Sequence, residues 1–225
     1  MGPNALWLTE ALCEGLELAP GMRVLDLGCG RAASSIFLAR EFDVRVWAAD
    51  LWIEPAENWT RIVEAGLHER VMPIHTEAHS LPFARGYFDA VVSVDAYHYF
   101  GTDDLYIGYL APFLRPGGQL GIVVPGLVAE LDGKLPDHLR PHWDWQFGSF
   151  HSADWWRRHL ERHPEITCDR ADLLPDGWQH WAHWNEVWCE HAHPNREAGL
   201  GEAAMLREDA GRNLGLVRVV CRRAA

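Results

Sequence analysis

Clustered basic charge is missing from this 225-residue chain, whose formal net charge is −12. No basic cluster rises above the short Arg222-Arg223 tail. Neutralising nucleic-acid phosphates needs grouped Lys and Arg, so DNA and RNA are poor partners. No apolar run approaches the roughly 18–20 residues of a membrane span, and the N-terminus lacks the basic region and long apolar core of a secretory signal. No membrane partner is expected, and a cytoplasmic address follows by default. Cysteine is scarce: Cys13, Cys29, Cys168, Cys189 and Cys221 are odd in number, scattered, and without C-x-x-C spacing. That pattern argues against a disulfide framework and a thiolate zinc site, leaving buried thiols as the expectation. Histidine offers no complete metal spacing either. His75 and His79 flank Glu77 without the H-E-x-x-H order, and His180 and His183 lack a clear third ligand, although Glu186 and Glu190 are within reach. No metal site is expected.

What is present is concentrated near the start. Between Val24 and Arg31 the chain reads V-L-D-L-G-C-G-R and then turns into the helical pattern Ala32-Ala33-Ser34-Ser35-Ile36-Phe37-Leu38-Ala39. Val24, Leu25 and Leu27 suit a buried parallel strand. Gly28 and Gly30, around Cys29, let the backbone turn and approach a ligand, and a helix N-terminus offers unpaired N–H groups. A second apolar strand ends on Asp50, roughly twenty residues on, where a carboxylate can grip a ribose diol. Position 33 is Ala, which still permits a dinucleotide fingerprint. Asp26 weighs against it: a carboxylate there repels a pyrophosphate but suits the cationic aminoacyl end of S-adenosylmethionine.

The spacing predicts a helix over 5–15, a strand from 24, a crossover helix ending near Phe42, a strand ending at Asp50, and a helix over 58–65 capped by Gly66. Strands follow over 71–74 and 90–94, then a helix over 103–114 and a strand over 119–124 entered through Pro116-Gly117-Gly118. Such alternation means a right-handed, doubly wound parallel sheet, an α/β fold. Residues 214–220 alternate as a further strand.

Five segments in order resemble class I S-adenosylmethionine-dependent methyltransferases: 24–30 (VLDLGCG), Asp50, 77–83 (EAHSLPF), 87–93 (YFDAVVS) and 114–118 (LRPGG). The likeness is nearest to the small-molecule branch that includes the ubiquinone and menaquinone C-methyltransferases, and it covers about residues 20–125. It implies a Rossmann-like seven-stranded sheet whose last strand is antiparallel and pairs with 166–169. It further implies that Gly28 and Gly30 pass beneath the methionine part, Asp26 orients it, and Asp50 holds the ribose hydroxyls. Leu51 and Trp52 would pack on adenine, while Glu77 and the Ala78 backbone would read its edge. Two departures stand out: position 32, often a third glycine, is Ala, and the usual Asp-Ala adenine pair is Glu77-Ala78. Relatives often carry a further helix ahead of the point where this chain reads Met1-Gly2-Pro3-Asn4.

On this reading residues 1–126 form the cofactor-binding core, 127–213 a Trp- and His-rich cap that includes strand six, and 214–225 the last core strand of a single domain. The cap runs through Trp143, Trp145, Trp155, Trp156, Trp178, Trp181, Trp184 and Trp188 to His191 and His193. Rings at helical spacing bury insertion helices, or they wall a pocket above the transferred methyl; the two readings hold for different faces. Exposed apolar cap surface would favour a homodimer.

Methyl transfer chiefly requires collinear nucleophile, methyl carbon and sulfur, and a base helps only when the acceptor carries a proton to be removed. Strand four ends in Asp95-Ala96-Tyr97-His98-Tyr99, where relatives project residues toward the methyl. His98 is the first candidate base, with Tyr97 and Tyr99 orienting the substrate and Asp95 contacting cofactor or substrate; His151 is a weaker alternative. The expected activity is methyl transfer from S-adenosyl-L-methionine to a small-molecule acceptor at N, O or C, with indole faces and excess acid leaning toward a flat neutral ring or a cationic amine. The alternatives are a non-catalytic S-adenosylmethionine sensor and a nicotinamide-dinucleotide dehydrogenase. The latter explains the glycines and Asp50 but not Asp26, Glu77-Ala78 or Pro116-Gly117-Gly118.

Overall fold

The chain is described by a computed structural model covering residues 3–191 and 196–225. Met1, Gly2 and His193 lie outside the described residues. After helix α1 (Ala5–Cys13), the core alternates β1 (Arg23–Leu27), α2 (Ala33–Phe42), β2 (Arg45–Asp50), α3 (Pro55–Glu64), β3 (Val71–His75), β4 (Phe88–Val94), α4 (Tyr106–Leu110) and β5 (Leu114–Leu127). Then come α5 (Ala153–Leu160), β6 (Ile166–Leu173), α6 (Gly177–Glu190), α7 (Arg196–Asp209) and β7 (Leu214–Arg223).

The strands form one seven-stranded sheet in the order β3-β2-β1-β4-β5-β7-β6. The first five pair in parallel, and β7 runs antiparallel between β5 and β6. The Rossmann-like α/β architecture with its antiparallel last strand is as expected. Central strands are apolar on both faces because helices cover both, so Val24, Leu25, Val91, Val92 and Ile122 are fully buried. The order reverses between β1 and β4, which places a binding crevice at their carboxyl ends.

Several boundaries differ from the sequence reading for local reasons. α3 starts three residues early because Pro55 suits the first turn of a helix, where its missing N–H is not needed. The helix expected over 103–114 shrinks to α4: Asp103 Oδ1 accepts the Leu105 N–H in a turn, and Pro112 diverts 111–113 into a 3-10 turn. β5 begins at Leu114, so Pro116-Gly117-Gly118 is an irregularity inside the strand, opposite the register shift between Phe88 and Ala90. A Cβ on Gly118 would lie 2.9 Å from the Arg115 carbonyl oxygen and 3.1 Å from that of Asp89.

The cysteine expectation needs correcting. Cys168 and Cys221 are joined as a disulfide, while Cys13, Cys29 and Cys189 are free and buried. The antiparallel register of β6 on β7 sets Cys168 opposite Cys221, a proximity that linear spacing does not reveal. Among the described residues no helix is long and apolar enough to cross a membrane.

Candidate active site

The turn from β1 into α2 is shaped by two glycines with different tasks. Gly28 has φ +76°, and a Cβ there would stand 2.4 Å from the Ala96 Cβ. Glycine thus lets the loop after β1 touch the loop after β4. Gly30 has φ +52°, and a Cβ there would meet nothing within 4 Å. Its left-handed backbone, not crowding, calls for glycine, and the space beside it is open. Ala32, where the resemblance expects a third glycine, also takes φ +61°. A left-handed L-residue costs about 1–2 kcal/mol.

Asp26 lies beneath this loop, wholly buried. Its Oδ2 accepts hydrogen bonds from the Ser34 and Ser35 hydroxyls, both at 2.6 Å, fastening the first turn of α2 to β1. Its Oδ1 is buried without a partner among the described residues. Burial pushes its carboxyl up to about 6, against the pull of the two serines. Asn58, which the sequence reading missed, is buried on α3 and donates to the Gly30 carbonyl at 2.9 Å, with Cys29 Sγ 3.9 Å away. Burial holds the Cys29 thiol well above its usual range, so it stays neutral.

At the end of β2, Asp50 binds its own backbone. Oδ2 accepts the Gly30 N–H at 2.8 Å, while Oδ1 accepts those of Trp52 at 2.8 Å and Ile53 at 2.9 Å. Beyond it, apolar side chains stand in the open, Leu51 49% and Trp52 76% exposed, with Trp52 edge-on to Tyr99 at 5.8 Å between centroids. Glu77 faces the same side of the sheet's carboxyl edge as an exposed residue and meets His79 Nδ1 at 2.6 Å, a contact that holds its carboxyl below the usual range. The Ala78 carbonyl accepts the Tyr106 hydroxyl at 3.1 Å. His75 is committed to the Leu51 carbonyl, and His180 stacks on Trp7.

A cavity of about 450 Å³ opens where β4 and β5 end, within the usual range for small-molecule sites. Asp95, His98 and Tyr99 line it from the core, with Phe147 and Phe150 from the segment after β5, Trp181, Asn185 and Trp188 from α6, and Glu202 and Met205 from α7. Because Ala96 follows Asp95 directly, the Gly28 contact sets this cavity beside the open glycine loop. Asp95 sits in the left-handed region at φ +54°. Its carboxyl is pushed up to about 8, by burial first and by the Glu202 charge second. His98 is 2% exposed, its Nδ1 is buried without a partner among the described residues, and burial pulls its imidazole down to about 4. Glu202 Oε2 accepts from Asn185 Nδ2 at 2.7 Å.

Tyr97 is elsewhere. Its fully buried ring packs against Phe100, Tyr106 and Trp156 in the core beneath the site, and a Cβ on Gly101 would run into that ring. It does not line the cavity. His151 also stays outside, stacked on Trp155 and paired with Glu130. Glu202 and Asn185 went unremarked in the sequence because their meeting depends on α7 packing against α6. The one hint was small residues around Glu202, since a Cβ on Gly199 would lie 2.6 Å from Cys189 Sγ.

The cap indoles divide by helix face. Trp181 is 1% exposed and lines the cavity, whereas Trp184 is half-buried, outside the lining, and tilted against Trp188 at 6.1 Å. Trp181→Ala is therefore expected to lower the unfolding free energy by about 3–5 kcal/mol, and Trp184→Ala by about 1 kcal/mol. Urea denaturation of both variants checks this. Equal losses would mean that the two faces of α6 are packed alike.

Comparison with known proteins bears on this arrangement. Residues 24–118 match the methyltransferase domain family. That stretch, under half of the chain, is similar to class I methyltransferase domains. The chain is 33% identical over 118 residues to the methyltransferase GfsG of Streptomyces halstedii, covering 51% of this chain and 42% of that protein. It is also 33% identical over 127 residues to the demethylmenaquinone methyltransferase of Mycobacterium sp. (strain KMS), covering 53% and 48%. The chain thus spans about half the length of the curated relatives it matches. The solved geranyl diphosphate C-methyltransferase of Streptomyces coelicolor A3(2), bound to Mg2+, geranyl diphosphate and S-adenosyl-L-homocysteine, superposes with a TM-score of 0.77 at 17% identity, covering 97% of this chain and 77% of that one. At that identity the likeness speaks for the fold.

Proposed function

We propose that this protein transfers a methyl group from S-adenosylmethionine to a small molecule held in the cavity beside Asp95. The observation that carries this reading is the Gly28–Ala96 contact, which sets an open nucleoside-type loop directly against an aromatic cavity. The residues present fit the cofactor. Gly30 leaves room for a ligand, Leu51 and Trp52 offer uncovered apolar surface for a base, and Asp26 Oδ1, without a partner among the described residues, gives the loop a negative centre that a pyrophosphate would oppose.

When bound, the cofactor supplies a methyl group activated by sulfonium charge. The protein's part is positioning. Asp50 is the ribose ligand, and the three backbone amides that hold it also fix the shape of the loop it faces. Glu77 and the Ala78 backbone read the adenine edge. Asp26 works as a positioning residue through Ser34, Ser35 and the turn between them. His98, neutral and with its Nδ1 unpartnered among the described residues, is placed to accept a hydrogen bond from the acceptor. Tyr99 borders both regions, touching Trp52 and lining the cavity.

Calorimetric titration with S-adenosylhomocysteine and separately with NAD tests the reading. S-adenosylhomocysteine is expected to bind and NAD is not. Binding of NAD alone would overturn methyl transfer in favour of hydride chemistry, and binding of neither would remove the cofactor site altogether.

A further inference from the structure

The cavity lining has two chemical characters. Tyr99, Phe147, Phe150, Trp181 and Trp188 supply rings, while Asp95, Asp144 and Glu202 supply carboxyl groups. Among the described residues no Lys or Arg lines it. Among the described residues Glu202 is hydrogen-bonded only to the neutral Asn185 amide, Asp144 accepts the Gln146 N–H, and the Asp95 carboxylate has no hydrogen-bond partner. None of the three forms a salt bridge among the described residues, in a protein that otherwise pairs acids freely with arginine. Two further polar groups of lining residues, His98 Nδ1 and Trp181 Nε1, are buried without partners among the described residues. Carboxyl groups without a paired Lys or Arg among the described residues, and buried polar atoms without partners among them, are costly arrangements, relieved when a cation arrives with N–H groups of its own.

We propose that the methyl acceptor is an organic amine, its nitrogen held by Asp95 and Glu202 and its carbon frame by the rings of Phe150, Trp181 and Trp188. This rests on the methyl-transfer reading of the same site. A neutral hydroxyl or carbon acceptor would bring no charge to these carboxyl groups, whereas an ammonium pairs with them and is also attracted to indole faces. The chain's formal charge of −12 favours approach of a cation. Transfer to nitrogen needs a free lone pair. The bound ammonium gives one proton to the Asp95 carboxylate, and its nitrogen forms a bond to the methyl carbon. The C–S bond breaks with its electron pair remaining on sulfur. The product is a methylated ammonium beside a neutral Asp95, and the total charge is unchanged.

The test uses the whole chain saturated with S-adenosylhomocysteine and two probes of equal shape, 2-phenylethylamine and 2-phenylethanol, titrated calorimetrically at pH 7.5. The amine is expected to bind at least about tenfold more tightly, equivalent to about 1.4 kcal/mol. That preference should disappear in Glu202→Gln and in Asp95→Asn while both variants still take up S-adenosylhomocysteine and unfold near the wild-type temperature. Gln keeps the acceptor for Asn185, and Asn tolerates the left-handed backbone at position 95, so both substitutions conserve the fold. Equal binding of the alcohol, an undiminished preference for the amine in both variants, or binding of neither probe would overturn the proposal while leaving methyl transfer standing. Failure of the wild type to take up S-adenosylhomocysteine would bring down the underlying reading and the proposal with it.

Discussion

Asp50→Ala is expected to cost cofactor affinity and stability together. The sequence alone makes this carboxylate a ribose ligand whose loss leaves the fold intact. The structure adds three backbone N–H groups, from Gly30, Trp52 and Ile53, that bond to it. Hydrogen bonds to a charged acceptor are worth about 1.5–3 kcal/mol each, but the amides beside exposed Leu51 and Trp52 can turn to water when the carboxylate is gone. A net loss of about 2–3 kcal/mol in unfolding free energy is therefore expected, most of it from the Gly30 amide and the loop it anchors. Affinity for S-adenosylhomocysteine should fall by about 1.5–3 kcal/mol. Asp50→Asn separates the two effects: it keeps one acceptor oxygen but turns an NH2 toward a donor, so it should fall between wild type and Ala in both measurements. Unchanged affinity in a destabilised Asp50→Ala would show that the carboxylate shapes the loop without touching the ribose.

The contrast between the Asp50 readings shows where sequence is informative. The order of strands and helices was legible because each central strand is an apolar run bounded by Gly, Pro or Asp, and the glycine pair announces a turn. The antiparallel pairing of β7 with 166–169 was legible from alternation together with the family likeness. Competition between backbone donors for one side chain was not, since Asp50 receives one amide from twenty residues upstream and two from just downstream. The same limit hid the Cys168–Cys221 pairing, which depends on strand register, and the meeting of Asn185 with Glu202, which depends on helix packing. Tyr97 illustrates a different limit. Its neighbours His98 and Tyr99 line the cavity, but the 3-10 turn over Tyr97–Tyr99 rotates successive side chains so that Tyr97 points into the core. No residue-type argument distinguishes the three without that turn.

Titration of the cavity is expected to bend stability at both ends of the pH range, with opposite signs. Asp95, pushed up to about 8, binds a proton more tightly folded than unfolded. Its contribution is full below the unfolded value of about 3.9 and is lost as pH rises through about 8. Asp26, pushed up to about 6, acts in the same direction at lower pH. His98, pulled down to about 4, favours the neutral ring, so its contribution is full above about 6.5 and is lost as pH falls through 4. Urea denaturation from pH 4 to 9 should show Asp95→Asn flattening the alkaline decline and His98→Gln recovering on the order of 3 kcal/mol at the acid end. The same assignment governs the reaction. A histidine base with an ordinary pKa would give a rate that rises near neutrality, but His98 is already neutral there. The group titrating near pH 8 is Asp95, surrounded by Glu202, Asp144, Tyr99, His98 and His142. If His98 removes a proton during transfer, His98→Gln should lower the single-turnover rate by about a hundredfold while a limb near pH 8 persists, and Asp95→Asn should erase that limb. A bound ammonium would draw the limb to lower pH, because an adjacent positive charge favours the carboxylate. A limb that survives in Asp95→Asn and vanishes in His98→Gln would return the titration to the histidine and remove Asp95 from the proton's path.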